Sequence, residues 1–259
     1  MSDETLPLER PRRFQFDWIW PSLRGPGGFF ARLAEYEAGA WLTPLLLAAL
    51  ALGARVLAEG TIQTRLNEMM GGPVPPPDSQ YWSPEQLNAW MQAQALQTGP
   101  VFMYGFPLLG ALLGLTIGWV LTFAVLHLVL TLLGGRGSLR AMMNVAAWAW
   151  LPLAVRALVV AVAVFSTGQL INGVGLSGFG PTGETNSGGA YLKAVLALVD
   201  VYWVWHVIQL AIGSNASVRL SRGKIWTGVI LTAIVVLGLQ ALPGFIQTAM
   251  TNFEFIRMF

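Results

Sequence analysis

The sequence predicts an all-α, polytopic integral membrane protein with five transmembrane helices, its N-terminus cytoplasmic and its C-terminus outside. Three observations carry that expectation. Of 259 residues, 54% are hydrophobic and only 11% are charged, whereas soluble domains carry about 25% charged residues. The apolar residues gather into five runs, each able to supply the roughly 20 helical residues that cross a hydrocarbon core. Lys and Arg collect in alternate loops, as in proteins that keep those loops in the cytoplasm. The composition also excludes function classes. With no cysteine, disulfides, thiolate metal sites and a cysteine nucleophile are absent. A pI near 9.2 accompanies a net charge of only +2, too little basic surface for nucleic acid.

In chain order, residues 1–21 are expected to form a cytoplasmic tail bearing Arg10, Arg12 and Arg13. No apolar run or cleavage site of a signal peptide follows its start. A five-helix membrane domain is expected over 22–259. Pro26 opens an amphipathic segment with Phe29, Leu33 and Tyr36 at i, i+4 and i+7. Such a segment lies on the membrane surface or packs as a connector on the protein, and both readings stand. The first span runs from about 40 to 58, with Arg55 snorkelling near its outer end. Its helix can continue to Met70, where Gly71-Gly72-Pro73 stops it, and Pro75–Pro77 makes a stiff turn. Ser83-Pro84-Glu85-Gln86 is a capping-box pattern. It opens a helix over 84–98, expected on the outer membrane interface and ended by Gly99-Pro100.

The second span lies within 101–133 and is expected to tilt, to kink at Pro107 or to extend beyond the lipid. Gly110, Gly114 and Gly118 are spaced by four and form a smooth stripe for helix packing, against this chain or a second protomer. The third span, 141–165, contains Pro152 and Arg156. A glycine-rich loop over 168–189 leads to the fourth, 191–213, with Asp200 and His206. The fifth covers 224–242, and Pro243-Gly244 is expected to break or kink it. The aromatic tail Phe245–Phe259 suits a membrane interface.

Orientation follows from the loops. Arg136 and Arg140 lie between spans two and three; Arg219, Arg222 and Lys224 lie between spans four and five. They share a side with Arg24 and Arg32. The opposite side carries Glu59, Glu68, Asp78, Glu85 and Glu184, with Arg65 and Lys193 as its basic members.

Motifs for chemistry are few. Gly134-Gly135-Arg136-Gly137-Ser138 lacks the ending of a phosphate loop and reads as a turn. His127 and His206 have no second ligand at helical spacing, so neither a metal nor a cofactor is expected. No nucleophile elbow or carboxylate pair points to a catalytic residue, and the chain is expected not to be an enzyme. The sequon Asn215-Ala216-Ser217 falls in a loop placed inside. What remains is a polar intramembrane set, Arg156, Asp200, His127 and His206. At about 1.5 Å per residue, Arg156 and Asp200 lie roughly 14 and 12 Å from the outer ends of consecutive antiparallel spans. They are expected to meet as an ion pair, because a lone charge at that depth is costly. His127 and His206 share a level about 10 Å from the inner ends of their spans, a possible polar pathway. These residues either fix helix packing or line a proton or substrate path.

Several short patterns resemble the YIP-type domain family, five-span membrane proteins named for interacting with Ypt/Rab GTPases. Gly25-Pro26, Phe29 and Leu33, then Trp41 and Pro44, look like that family's entry into span one. Trp148 and Leu151-Pro152 look like its third span; Asp200, Trp205 and Gly213 match its fourth; Ser221 and Lys224 resemble the approach to its fifth. Ile225 stands where alanine is common, and the acidic Asp-Leu-Tyr-Gly-Pro-like entry of eukaryotic members is missing, so a Rab-type GTPase is not expected as a partner. The resemblance, over roughly 25–245, implies a multi-pass integral membrane protein without an agreed biochemical activity; the leading expectation is a non-enzymatic protein of a bacterial plasma (inner) membrane acting as a scaffold, adaptor or membrane organiser. Its expected partners are the lipid bilayer and a membrane protein or second copy of itself. The rival expectation is a transporter or permease subunit.

Overall fold

A computed structural model describes residues 12–69, 71, 74–171, 175–181 and 187–257, the last eleven by backbone alone. Arg10, Met70, Gly72-Pro73, Glu184 and Met258-Phe259 lie outside the described residues. All regular structure among the described residues is helical. Ten α-helices follow in order: α1 Ile19–Arg24, α2 Pro26–Glu35, α3 Leu42–Met69, α4 Pro84–Gln97, α5 Phe106–Leu132, α6 Leu139–Ala149, α7 Leu151–Thr167, α8 Ser187–Leu198, α9 Val201–Ser217 and α10 Arg222–Arg257. Among the described residues, four stretches are long and apolar enough to cross a membrane: Leu42–Met69, Pro84–Leu132, Leu139–Thr167 and Arg222–Ile246. The pair Gly188–Leu198 and Val201–Ser217, bent by 71°, makes a fifth if taken as one span. The protein is an all-helical, multi-pass membrane protein.

Local chemistry places the ends. The helix of span one stops beside Gly71, whose φ of +77° suits glycine. Ser83 and Gln86 close the capping box: the Gln86 N–H donates to Ser83 Oγ at 3.3 Å, and the Ser83 N–H donates to Gln86 Oε1 at 2.9 Å. Pro107 sits in the first turn of α5, where its missing N–H leaves no gap in the helix. Ser138 caps α6 by accepting from the Ala141 N–H.

Several expectations are corrected. Within 1–21, Gln15 and Trp18 are tied to the bundle rather than lying in a tail. The buried Gln15 donates its backbone N–H to Thr43 Oγ1 at 2.8 Å, and Trp18 lies in aromatic contact with Phe29, Tyr36 and Trp148. The amphipathic segment is a connector rather than a surface helix, since Phe29, Phe30 and Leu33 are buried in the core. α4 ends at Gln97, and a short interruption at Thr98-Gly99 and a π-helical turn, Val101–Gly105, lead from it into α5, so that the apolar window that can cross a membrane lies within a helical stretch that starts at Pro84. Span four is not one helix. Pro243 does not end α10, which runs through it. The glycine stripe divides: a Cβ at Gly110 or Gly114 would meet nothing, whereas at Gly118 it would lie 2.7 Å from Gln240 Nε2 and 2.8 Å from the Trp150 ring. Only Gly118 faces a neighbouring helix.

The core is centred on α6, where Met142 and Val145 to Ala149 are buried. Phe29 packs at a tilt against Trp148 with centroids 4.9 Å apart, and Phe30 packs on Gly213, where a Cβ would come within 2.9 Å of its ring. Asn144 clamps the entry to α3, accepting from the Ala40 N–H at 2.8 Å and donating to the Ala38 carbonyl at 3.0 Å. Trp148 Nε1 donates to the Ala40 carbonyl at 2.9 Å. Against lipid, apolar burial drives association weakly, so close packing and polar ties of this kind carry much of the specificity. The basic segments meet at one end of the bundle: Lys224 donates to the Leu133 carbonyl and Arg140 to the Glu37 carbonyl.

Candidate functional site: two interrupted spans

Three of the four polar intramembrane residues, Arg156, Asp200 and His206, gather at two breaks in the helices of spans three and four. Each break frees backbone groups, and in hydrocarbon a free carbonyl or N–H has no water to turn to.

The break in span four lies between Leu198 and Val201. Asp200 adopts an extended backbone, and its Oδ1 accepts from the Trp203 N–H at 2.9 Å, the N-cap of α9. An anionic cap also suits the positive end of the helix dipole. Its other oxygen, Oδ2, lies 2.7 Å from Arg156 Nε on α7. The same guanidinium donates through Nη2 to the Ala197 carbonyl at 3.2 Å, an acceptor that α8 leaves open where it stops. The loop before α8 completes the mend: the Leu176 N–H donates to the Leu196 carbonyl at 2.9 Å and to that of Val199 at 3.0 Å. This approach requires glycine at 175. Gly175 has φ +63°, and a Cβ there would lie within 2.8 Å of the carbonyls of Leu196, Ala197 and Val199. The side chains of Arg156 and Asp200 are only 15% and 18% exposed, so the pair is closed.

The break in span three lies at Trp150, between α6 and α7. Pro152 has no N–H to return to the Trp148 carbonyl, and the Leu153 N–H turns to Trp150 instead of Ala149. α9 supplies the missing donors. His206 Nδ1 donates to the Ala149 carbonyl at 2.7 Å. Gln209, one turn further, reaches the same break: with its amide turned so that oxygen and nitrogen both find partners, it donates to the Trp148 carbonyl and accepts from Trp205 Nε1, both at 3.2 Å, whereas the opposite orientation gives it only a 3.4 Å bond to the Ser22 carbonyl. His206 therefore closes a helix break. His206 also lines a cavity of about 20 Å³ with Thr122, Trp150, Thr232 and Gln240. The buried Trp150 Nε1 has no protein partner. His127 is half-buried on α5 and is not among the residues lining that cavity. No hydrogen bond or ring contact joins it to His206 among the described residues, so the structure does not bring the two histidines together.

Sequence reasoning missed the breaks and their menders Gln209, Leu176 and Gly175. A signal for the first existed: Asp200 stands three residues before Trp203 in N-cap register, between the β-branched Val199 and Val201. No local signal pointed to Leu176. No metal-holding group of three His, Asp or Glu residues occurs among the described residues. The remaining clefts lie elsewhere. An apolar groove of about 490 Å³ runs between α3 and α7 past Leu57, Ala58, Ala161 and Phe165, and one of about 380 Å³ is lined by Glu59, Gln63 and Phe102. Neither Arg156 nor Asp200 lines them.

Compared with known proteins, residues 20–243 match the family model described as the Yip1 domain. No curated protein and no solved structure matches the chain.

Proposed function

The chain belongs to the Yip1-domain family, and on that premise we propose that it is a non-enzymatic membrane protein that acts as a scaffold, adaptor or organiser of the bilayer. The observation that favours this reading over transport is the closure of its one intramembrane charge pair seen among the described residues. Both Asp200 oxygens are engaged, by Trp203 and Arg156, and the guanidinium is held by a carbonyl as well. A carboxylate that carries protons or cations needs a water-lined approach and a state in which it is free. Here its lone pairs close a helix break. The proposed setting is a bacterial plasma membrane, with the basic end of the bundle in the cytoplasm and a membrane protein or second copy as partner. Rab-type GTPases, nucleic acid and cofactors have no part in it.

Two experiments test this. Purified protein in liposomes, under imposed proton and sodium gradients, should give no flux above that of empty liposomes. A flux that Asp200→Asn abolishes would reverse the reading in favour of a transporter. For orientation, cysteines introduced at Ser79 and Ser187 should label from outside the cell and one at Ser138 should not. Labelling of all three from one side excludes the five-span arrangement.

A further inference from the structure

The structure assigns a binding site, for one phospholipid with an anionic headgroup, at the basic end of the bundle between α9 and α10. A cavity of about 240 Å³ opens there, lined by Ala211, Ile212, Asn215, Arg222, Ile225 and Trp226. Its chemistry is divided. Ala211 and Ile225 are buried and form an apolar floor. Asn215, Arg222 and Trp226 are exposed residues of its lining, whose side chains carry a carboxamide, a guanidinium and an indole N–H. A phosphodiester accepts from all three groups, and guanidinium is the side chain best matched to phosphate oxygens.

Arg222 is free to take that role. The ion pairs among the described residues are Arg55–Glu59 and Arg156–Asp200, and neither involves it. Its neighbours in sequence, Arg219 and Lys224, do not line the cavity, and Lys224 is already committed to the Leu133 carbonyl. Trp226 is 43% exposed, with the amphipathic ring suited to headgroup depth.

The two helices also provide a path for the tails. Val204, Ile208 and Ile212 lie four apart on α9, and Trp226, Ile230 and Ile234 lie four apart on α10. Residues four apart share a helix face. Except for the half-buried Ile212, these residues are exposed. Both rows lead from the cavity into the membrane. A soluble phosphate would use only the polar groups of the lining and an uncharged lipid only the rows; an anionic phospholipid uses both.

The test is native mass spectrometry of the full chain in detergent, titrated with palmitoyl-oleoyl phosphatidylglycerol or with phosphatidylcholine of the same tails. One phosphatidylglycerol should be held about five- to tenfold more tightly than phosphatidylcholine, the order expected for one or two basic contacts to an anionic lipid. Arg222→Gln should erase that preference, Arg222→Lys should keep part of it, and Arg219→Gln should leave it. Trp226→Leu keeps the charge and removes the indole N–H, and should weaken phosphatidylglycerol retention. It keeps the proposal testable if Arg222→Gln does not fold. Equal retention of the two lipids overturns the proposal, as does retention unchanged in both Arg222→Gln and Trp226→Leu. Displacement by glycerol 3-phosphate at matching concentration also overturns it, by reducing the site to one for soluble anions.

Discussion

The breaks in spans three and four solve one problem with different chemistry. Span three is interrupted by proline, and neutral groups repair it, His206 and Gln209 reaching across from α9. Span four is interrupted at an N-cap aspartate, and a charge pair repairs it with help from a loop. The repair is also reciprocal: α9 mends the break before α7, and Arg156 of α7 mends the break before α9. Neutral repair puts little at risk, because losing one partner leaves an unsatisfied dipole. Charged repair puts more at risk, because losing one partner leaves an ion in a dry site.

That contrast is open to measurement. Asp200→Ala removes both the counter-ion of Arg156 and the cap of α9, and should cost about 3–5 kcal/mol. It should appear as a large fall in melting temperature in detergent. Adding Arg156→Ala should recover part of the loss, and a double-mutant cycle without coupling would dissolve the pair. Gly175→Ala forces a Cβ into a left-handed backbone and against three carbonyls, and should cost about 2–3 kcal/mol. Proteolysis near residue 175 would report it.

At the neutral break the losses should be smaller. His206→Phe and Gln209→Leu each leave a buried carbonyl short of a donor, about 1–3 kcal/mol. In a Pro152→Ala background the N–H at 152 returns to the Trp148 carbonyl, so Gln209→Leu should become milder. If its effect is unchanged there, the mending argument for span three fails. The smallest contrast is between glycines. Gly118→Leu should cost about 1–3 kcal/mol through its clash with Trp150 and Gln240, while Gly114→Leu should stay within about 0.5 kcal/mol. Equal thermal shifts would mean that Gly114 packs against something too.

Much of the site was legible because depth along a helix is a linear function of sequence position. Arg156 and Asp200 could be placed at one level on consecutive spans from 1.5 Å per residue alone. Depth carries no azimuth. His127 and His206 share a level as well, yet only His206 turns into the α6–α7 junction. The glycine stripe failed for the same reason. Spacing by four puts Gly110, Gly114 and Gly118 near one face, but α5 meets Trp150 and Gln240 only at its Gly118 end.

The sequence by itself determined the class of this protein: its apolar runs, the alternation of charge between loops, the Ser83 capping box and the Yip1-type pattern are local or one-dimensional properties. The tertiary structure decided where the chain departs from straight helices. A continuous helix over 191–213 would satisfy its own backbone. A broken one is viable only where Leu176, Arg156 and the Asp200 carboxylate converge on the freed groups. Those partners lie about 24 and 44 residues before Asp200 in the chain. No periodicity reports such a meeting, because hydrogen bonds across helices depend on how the helices are rotated and packed, and that is set by the whole bundle.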